Sequence, residues 1–202
     1  MNGMACFVET IKVFNGVFCN LEYHERRAQA TAVAFFGKPL VWSVDRVVIP
    51  ENMRFGLVKC RVEYDAEIRT ISFQPYVMRT IRSLKLVNGD GVDYRYKSTD
   101  RTALARLLEQ REACDDVLIV REGRITDTSF TNVVFEDSSG DFYTPDTCLL
   151  EGTCRRSLLD AKKIQSCPIR VEDVSKFQRV LLINAMIGLE DRLCVPVENI
   201  VL

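Results

Sequence analysis

The sequence has one histidine, His24, among 202 residues, and none of its eight cysteines forms a Cys-x-x-Cys pair. Zinc sites draw mostly on cysteine and histidine ligands, so this composition argues against a zinc centre. A cysteine hydrolase needs a histidine base beside its thiol. The sequence around His24 indicates packing against the sheet or support of the helix start instead. We therefore expect neither class of site.

The sequence also has little net charge and no long hydrophobic run. Lysine and arginine number 27 and the acids 28, giving a net charge of -1, with no basic field for nucleic acid. The longest apolar runs, such as residues 180–183, are strand-sized and too short to cross a bilayer. Because the first residues lack the features of a signal peptide, we expect a cytoplasmic protein with reduced cysteines and no membrane partner.

The remaining composition, 47% hydrophobic and 27% charged, is typical of a soluble globular protein. We predict a small α+β domain over residues 1–77. Its pattern comprises a strand at residues 4–13, a turn at Asn15-Gly16, a return strand at 17–20, a helix at 21–36 ended by Gly37, and strands at 57–63 and 68–74. The pattern breaks near Pro75-Tyr76, where we place the boundary.

Residues 78–202 form a predicted larger domain. A strand at residues 81–86 precedes a helix that Ser98 or Thr99 can cap. The apolar stretches at 116–120, 130–135 and 142–144 predict an antiparallel meander. A helix from about residue 154 to 162, a strand near Ile169, a short helix from Val171 and a last strand at 179–184 complete this domain.

Four positions could carry chemistry, although each signal is weak by itself. Lys97 follows an extended segment, and it is either a solvated ammonium or a partly buried Schiff-base lysine. Asp127, predicted at the start of a strand, is either a turn acid or a partner for a pyridine nitrogen. Residues 152–154 open a helix, where free N–H groups and the dipole can hold a phosphate. Arg27 could add a cationic contact to the same phosphate.

These pieces occur in an order that resembles the class IV aminotransferase family, the pyridoxal-phosphate enzymes of fold type IV. Residues 7–11 (FVETI) resemble the first-strand "ET" segment, and residues 24–27 resemble the His-x-x-Arg helix. Asp127 followed by Asn132 resembles the Glu-x-x-x-x-Asn strand. Residues 144–145 and 149–155 resemble the "TP…LL-x-G-(aliphatic)-T-R" phosphate turn. The match covers most of the sequence.

The resemblance implies a two-domain D-amino acid aminotransferase-like fold, α/β with α+β character, that binds pyridoxal 5'-phosphate. Lys97 would be the catalytic, cofactor-bearing lysine, and Asp127 would contact the ring nitrogen. Arg27, Thr153 and Cys154 would hold the phosphate. A small amino substrate and a homodimer are also implied, because active sites of the family lie at a dimer interface.

Three departures from the family pattern bear on these expectations. The sequence begins almost at the "ET" segment, so we expect an N-terminally shortened version that lacks a hairpin. Asp127 replaces the usual glutamate and keeps its charge with one methylene fewer. Cys154 stands where threonine is usual, so one hydroxyl donor is lost while the backbone N–H remains.

The residues after Lys97 bear on the reaction. Lys97-Ser98-Thr99-Asp100-Arg101 is closer to the Lys-x-x-Asn-Arg of 4-amino-4-deoxychorismate lyases than to the Lys-x-x-Asn-Tyr of the aminotransferases. This favours a lyase that releases 4-aminobenzoate and pyruvate. An aminotransferase acting on branched-chain or D-amino acids and a degenerate, non-catalytic cofactor-binding module remain alternatives.

Overall fold

The computed structural model describes residues 6–202 and divides them into two compact units. The first unit comprises the described residues up to Met78 together with Tyr96–Asp100, and the second comprises Arg79–Arg95 and Arg101–Leu202. The segment around Lys97 thus groups with the first unit, whereas we had predicted it in the larger domain. The cause is backbone pairing, because the Val8 amide donates to the Lys97 carbonyl over 2.9 Å.

The first unit is a four-stranded antiparallel sheet with the order β2-β1-β3-β4. Its elements are β1 (Phe7–Phe14), β2 (Val17–Phe18), the helix α1 (Leu21–Phe36), β3 (Leu57–Tyr64) and β4 (Ile68–Pro75), with 3-10 turns at Val44–Arg46 and Glu51–Met53. Asn15 and Gly16 have φ angles of 48° and 79°, as a tight hairpin turn requires. The hairpin prediction is confirmed, while residues 4–5 of the predicted strand lie outside the described part.

The helix α1 covers one face of this sheet. Phe7 and Tyr64 of the sheet pack with Ala28 and Ala32 of the helix in one buried cluster. The predicted helix bounds and the Gly37 terminus are confirmed, since Gly37 has a φ of 68° and donates to the Val33 carbonyl. Phe35, near the end of the helix, is 47% exposed. The buried residues of α1 include the polar His24 and Thr31.

The second unit is built on a larger mixed sheet with the order β10-β9-β8-β7-β6-β5-β13, to which β11 and β12 are joined through β8. Its strands are β5 (Leu84–Asn88), β6 (Asp116–Arg121), β7 (Arg124–Thr128), β8 (Asn132–Glu136), β9 (Phe142–Pro145), β10 (Gln165–Cys167), β11 (Arg179–Ile183), β12 (Cys194–Pro196) and β13 (Ile200–Val201). Its helices are α2 (Thr102–Glu109) and α3 (Thr153–Asp160), with 3-10 turns at Val171–Lys176, Leu189–Asp191 and Val197–Asn199.

The antiparallel pairing of β6, β7, β8 and β9 confirms the predicted meander. The strand β7 was not predicted, because most of its residues are polar and do not show the alternation of apolar and polar residues that is typical of a strand. Asp127 consequently lies near the end of β7 and not at the start of the next strand. The helix α2 begins at Thr102 after Arg101, so neither Ser98 nor Thr99 caps it. A strand was predicted near Ile169. The structure has a strand a few residues earlier in the sequence, β10.

Within residues 6–202, no helix has the length and apolar character needed to cross a membrane.

Candidate functional site

Lys97 lies beside β1 in the first unit. An antiparallel bridge joins Phe7 to Ser98, which sets Lys97 opposite Val8, and the Thr99 amide donates to the Cys6 carbonyl over 2.9 Å. Tyr96 stacks edge-on against Phe35 with ring centroids 4.8 Å apart. Lys97 itself is partly buried. The backbone of the predicted cofactor lysine is therefore tied to a sheet strand on both sides of the residue.

Arg27, the predicted phosphate ligand, makes a two-point contact with a buried carboxylate in the same unit. Its Nε donates to Glu9 Oε1 over 2.9 Å and its Nη2 donates to Glu9 Oε2 over 2.6 Å. The Glu9 side chain has no exposed surface, and that of Arg27 is 12% exposed. A guanidinium has five N–H donors, and Glu9 engages two of them. Glu9 thereby orients Arg27, and no sequence motif predicts this contact.

His24 completes this buried polar group. Its Nδ1 lies 2.6 Å from Glu9 Oε2, and because a carboxylate can only accept, Nδ1 carries the proton. Burial lowers the pKa of His24 despite the bond to Glu9, so the imidazole is neutral at neutral pH. Burial alone would raise the pKa of Glu9, but Arg27 and His24 more than offset this, and the pKa falls to about 2. The result is an ionised Glu9 between a cation and a neutral donor.

The i, i+3 spacing of His24 and Arg27 was the available signal for this group. Residues three apart lie on one face of a helix, so both side chains can reach the same strand. Glu9 belongs to the alternate set of β1 residues, with Phe7 and Ile11, that is buried. A charged residue in that set needs buried partners, and the helix supplies them.

Asp127 is the central buried acid of the second unit. Its Oδ1 accepts a hydrogen bond from Asn132 Nδ2 over 2.7 Å, and its Oδ2 accepts from the amides of Leu149 and Leu150 over 2.7 and 3.0 Å. The residue is 5% exposed, and burial raises its pKa to about 6 although these donors oppose the shift. Hydrogen bonds therefore fix the orientation of Asp127, but they do not fully offset the cost of burying its negative charge.

Gly152 is required by the position of Asn132. A side-chain Cβ at residue 152 would overlap Asn132 Oδ1. Asn132 cannot turn away easily, because its Nδ2 also donates to the Leu150 carbonyl over 2.9 Å. The residues of the predicted phosphate turn and the acid of β7 are thus parts of one hydrogen-bonded arrangement.

Thr153 and Cys154 begin the helix α3, and both are buried. The thiol of Cys154 is directed at the Ile187 carbonyl, with Sγ 3.7 Å from the oxygen. Arg155 is also directed inward, donating to Thr144 Oγ1 over 3.1 Å and to the Pro145 carbonyl over 2.7 Å. Of the Cys154 groups, the backbone N–H is the one suited to an anion at the helix start.

The structure brings Arg27 and Lys97 together in the first unit, and Asp127, Thr153 and Cys154 together in the second. Within the described part of the chain, no group of three or more histidine, cysteine or acidic side chains could hold a metal ion. The predicted site residues of the first unit are an amine and a guanidinium, and those of the second unit are a carboxyl and the residues at the start of a helix.

Comparison with known proteins identifies the family. The family model described as amino-transferase class IV matches residues 6–200. The chain belongs to this family. It is 35% identical over 184 residues to an uncharacterized protein of Haemophilus influenzae, a match that covers 90% of this chain and 97% of the relative.

Solved structures share the fold. A candidate 4-amino-4-deoxychorismate lyase from Haemophilus somnus is 34% identical, with a TM-score of 0.81 over 93% of this chain and 99% of that chain. A hypothetical aminotransferase from Mycobacterium tuberculosis in its pyridoxal-phosphate-bound form is 17% identical, with a TM-score of 0.71 over 98% of this chain and 82% of that chain. The predicted resemblance and the mixed helix and strand fold of the class IV aminotransferases are confirmed.

Proposed function

We propose that this protein is a pyridoxal-phosphate-dependent lyase that converts 4-amino-4-deoxychorismate to 4-aminobenzoate and pyruvate. The observation that carries the cofactor assignment is Asp127, a buried carboxyl with a pKa raised to about 6 and every carboxyl oxygen held in place. A protonated pyridine nitrogen would add a positive charge beside this carboxyl, whose pKa stays raised despite its hydrogen bonds and the charge of Arg155. The lyase reaction is favoured by the 34% identity to the candidate lyase of Haemophilus somnus and by Arg101 four residues after Lys97.

The residues present fit pyridoxal phosphate. When bound, this cofactor supplies an electron sink that stabilises negative charge at the substrate carbon next to the amino group. Lys97 would hold it covalently through its amine, and Asp127 would keep its ring nitrogen protonated. An ionised Asp127 is the correct state for this role, and a neighbouring cation lowers the pKa of a carboxyl.

The phosphate would be held at the start of α3. The dipole of a helix favours an anion at its start, and backbone N–H groups there bind phosphates in other proteins. Thr153 and Cys154 are the first two residues of α3. Arg27 would add a positively charged guanidinium to the phosphate site, and its hydrogen bonds to Glu9 would fix the orientation of that group. The loss of the usual threonine hydroxyl at Cys154 is tolerable, because the backbone makes the larger contribution at a helix start.

Lys97 would also move the proton in the reaction. The Lys97 amine would take the proton from the substrate carbon that bears the amino group. The bond between the ring and the enolpyruvyl oxygen would then break, the electron pair left by the proton would complete the aromatic ring of 4-aminobenzoate, and the released enolpyruvate would take up a proton to become pyruvate. An aminotransferase would share the proton removal but would keep the carbon skeleton of its substrate intact, so the two reactions diverge after the first proton transfer.

Product analysis tests this proposal. Protein loaded with pyridoxal phosphate is incubated with 4-amino-4-deoxychorismate, and pyruvate is measured with lactate dehydrogenase. We expect equal amounts of pyruvate and 4-aminobenzoate, with Lys97→Ala inactive and the exposed-lysine control Lys38→Ala fully active. Amino transfer to a 2-oxo acid without pyruvate release would contradict the lyase and leave the aminotransferase. Turnover by Lys97→Ala would contradict the site assignment.

The assembly and location of the protein belong to the same proposal. A homodimer is expected because the active sites of the resembled family lie at a dimer interface. A cytoplasmic location is supported by the eight cysteines, all of which are free thiols. Sedimentation velocity over a hundredfold range of protein concentration should show a dimer, and a monomer at all concentrations would contradict this part.

A further inference from the structure

The strands at the edges of the two sheets differ greatly in length. The edge strands β2 and β13 have two residues each and β10 and β12 have three, whereas β4 has eight. Short edge strands are one of the means by which proteins avoid pairing with another chain. Within residues 6–202, β4 has β3 on one side and no strand on the other. β4 is therefore the long edge that the described part of the chain leaves open.

The middle of β4 lacks the features that protect an edge. Charged residues, proline and bulges are the usual means of protection. Residues 70–74 (TISFQ) contain no charge and no proline, while Arg69 and Pro75 lie toward the two ends of the strand. None of the eight residues of β4 is buried. Because alternate residues of a strand direct their N–H and C=O groups to the same side, this segment offers backbone groups to an incoming strand.

The sequence of β4 is complementary to a second copy of itself. An antiparallel pair with a two-fold axis at Ser72 places residues of matching character opposite each other. The opposed pairs are Ser72–Ser72, Ile71–Phe73, Thr70–Gln74 and Arg69–Pro75. Like charges directly opposite on a sheet destabilise it, and this register contains none.

The apolar side chains of β4 also fit a two-fold pair. Ile71 and Phe73 lie opposite the buried Val62 and Cys60 of β3, and they pack only partly buried against the core cluster of that sheet. In the pair, Ile71 of each copy lies opposite Phe73 of the other. Pairs of aromatic and β-branched residues stabilise a sheet. The core of one copy would therefore continue into the core of the other.

We propose that two copies of this chain pair antiparallel through β4, so that their four-stranded sheets form one continuous sheet. This inference rests on the homodimer of the proposed function, and it does not depend on the cofactor or on the reaction. A two-fold axis at Ser72 uses the open edge of both copies, so the assembly closes as a dimer. The edges that remain in the joined sheet are the two short β2 strands.

Charge substitutions at the two-fold axis test this inference. Ser72 is exposed, so Ser72→Lys should leave the fold and the circular dichroism spectrum unchanged. In the dimer it places two lysines directly opposite each other, and we expect the Kd of the dimer from sedimentation velocity to rise at least about tenfold. Ser72→Glu should act in the same way, and an equimolar mixture of the two variants should recover the dimer. The matched control Thr70→Lys places its lysine opposite Gln74 and should keep the parent Kd.

A disulfide at the same position tests the register. Residues directly opposite in an antiparallel pair have Cα atoms about 4.5–5.5 Å apart, a distance that a disulfide can span. Under mild oxidation, Ser72→Cys should give two chains joined through residue 72, identified by mass spectrometry of the digested protein. Thr70→Cys would lie about 14 Å from its own copy and should not crosslink to itself, but a mixture with Gln74→Cys should crosslink. The parent, with its eight native cysteines, measures the background.

Distinct outcomes separate this inference from the proposed function. A parent dimer that Ser72→Lys leaves unchanged, without a crosslink at residue 72, overturns the inference and keeps the homodimer. A parent that is monomeric at all concentrations overturns both, whatever the lyase assay shows. Open assemblies larger than a dimer overturn the two-fold pairing. A dimer crosslinked at residue 72 that releases no pyruvate supports the inference and overturns only the reaction.

Discussion

Glu9 is the residue on which the polar interior of the first unit depends. It has no exposed surface and bonds both His24 and Arg27. Replacing it by glutamine would leave a nearly buried guanidinium without its counter-ion, a change that strongly destabilises proteins. We expect Glu9→Gln to lower the free energy of unfolding by about 3 kcal/mol at pH 7, measured by urea denaturation. The control Glu25→Gln, at an exposed position of α1, should have little effect.

The same carboxyl gives this prediction a pH dependence. The pKa of Glu9 is about 2 in the folded protein against 4.5 ordinarily, so its ionised form is favoured by folding. That contribution is complete above about pH 4.5 and is lost as the pH falls toward 2. The parent and Glu9→Gln curves of stability against pH should therefore converge in acid. Parallel curves down to pH 2 would contradict the account of Glu9.

The pKa of Asp127 is shifted upward, whereas that of Glu9 is shifted downward. Burial raises the pKa of Asp127 to about 6 from 3.8, so the folded protein without cofactor binds a proton that the unfolded chain has lost. Ionisation of Asp127 therefore reduces stability as the pH rises from about 4 to 6. Pyridoxal phosphate should remove this penalty through its ring nitrogen, so that its binding stabilises the protein more at pH 7.5 than at pH 5.

Asp127→Asn tests the role in the reaction. An amide carries no charge to stabilise a positive ring nitrogen, and its NH2 group would face a hydrogen-bond donor in either orientation, the NH2 group of Asn132 or the N–H groups of Leu149 and Leu150. We expect kcat/KM to fall by about 10²–10³, the scale of losing one oriented electrostatic partner, while the cofactor still binds covalently. The control Asp146→Asn changes an exposed acid of the same unit and should retain activity. Undiminished activity in Asp127→Asn would show that the ring-nitrogen role is wrong.

Gly152, just before α3, connects the predicted phosphate turn to Asp127 through the side chain of Asn132. A Cβ at residue 152 would overlap Asn132 Oδ1, so Gly152→Ala must displace the side chain that orients Asp127. We expect a loss of about 1–3 kcal/mol in stability and weaker binding of pyridoxal phosphate, measured by absorbance titration. Gly123→Ala, at a φ of 74° with open space around it, should lose stability without losing cofactor affinity.

The sequence predicts those helices, strands and turns whose bounds are set by residues close together in the sequence. The bounds of α1 followed from a turn before it and Gly37 after it, and the hairpin at Asn15-Gly16 followed from its turn residues. The strand β7 was missed because residues 126–129 are all polar and buried, a combination stabilised by hydrogen bonds across the sheet. Thr126, for example, donates to the Ile119 carbonyl over 2.9 Å, which no local pattern reveals.

For the whole molecule, the grouping of residues into units depends on contacts between distant parts of the sequence. The pairing of Phe7 with Ser98 moves the Lys97 segment into the first unit, although its neighbours on both sides belong to the second. Sequence motifs identified Arg27, Lys97 and Asp127 as candidates because their order resembles the family. They could not reveal that Glu9 holds Arg27, since that contact joins a strand to a helix.

The family and the reaction are different levels of assignment. Residues 6–200 match the class IV aminotransferase model, and the relative from Haemophilus somnus matches over 99% of its own chain. The solved structures that share this fold include a candidate 4-amino-4-deoxychorismate lyase and a hypothetical aminotransferase, so the fold by itself does not separate the two reactions.

The central claim is that Lys97 carries pyridoxal phosphate, and borohydride reduction tests it most directly. The protein is mixed with the cofactor, its absorption spectrum is recorded, and the sample is reduced and digested for mass spectrometry. The account predicts a band near roughly 410–430 nm that disappears on reduction and a phosphopyridoxyl group on the peptide containing Lys97. A protein that stays colourless, or a label on another lysine in a protein whose Lys97→Ala variant keeps the band, would contradict it.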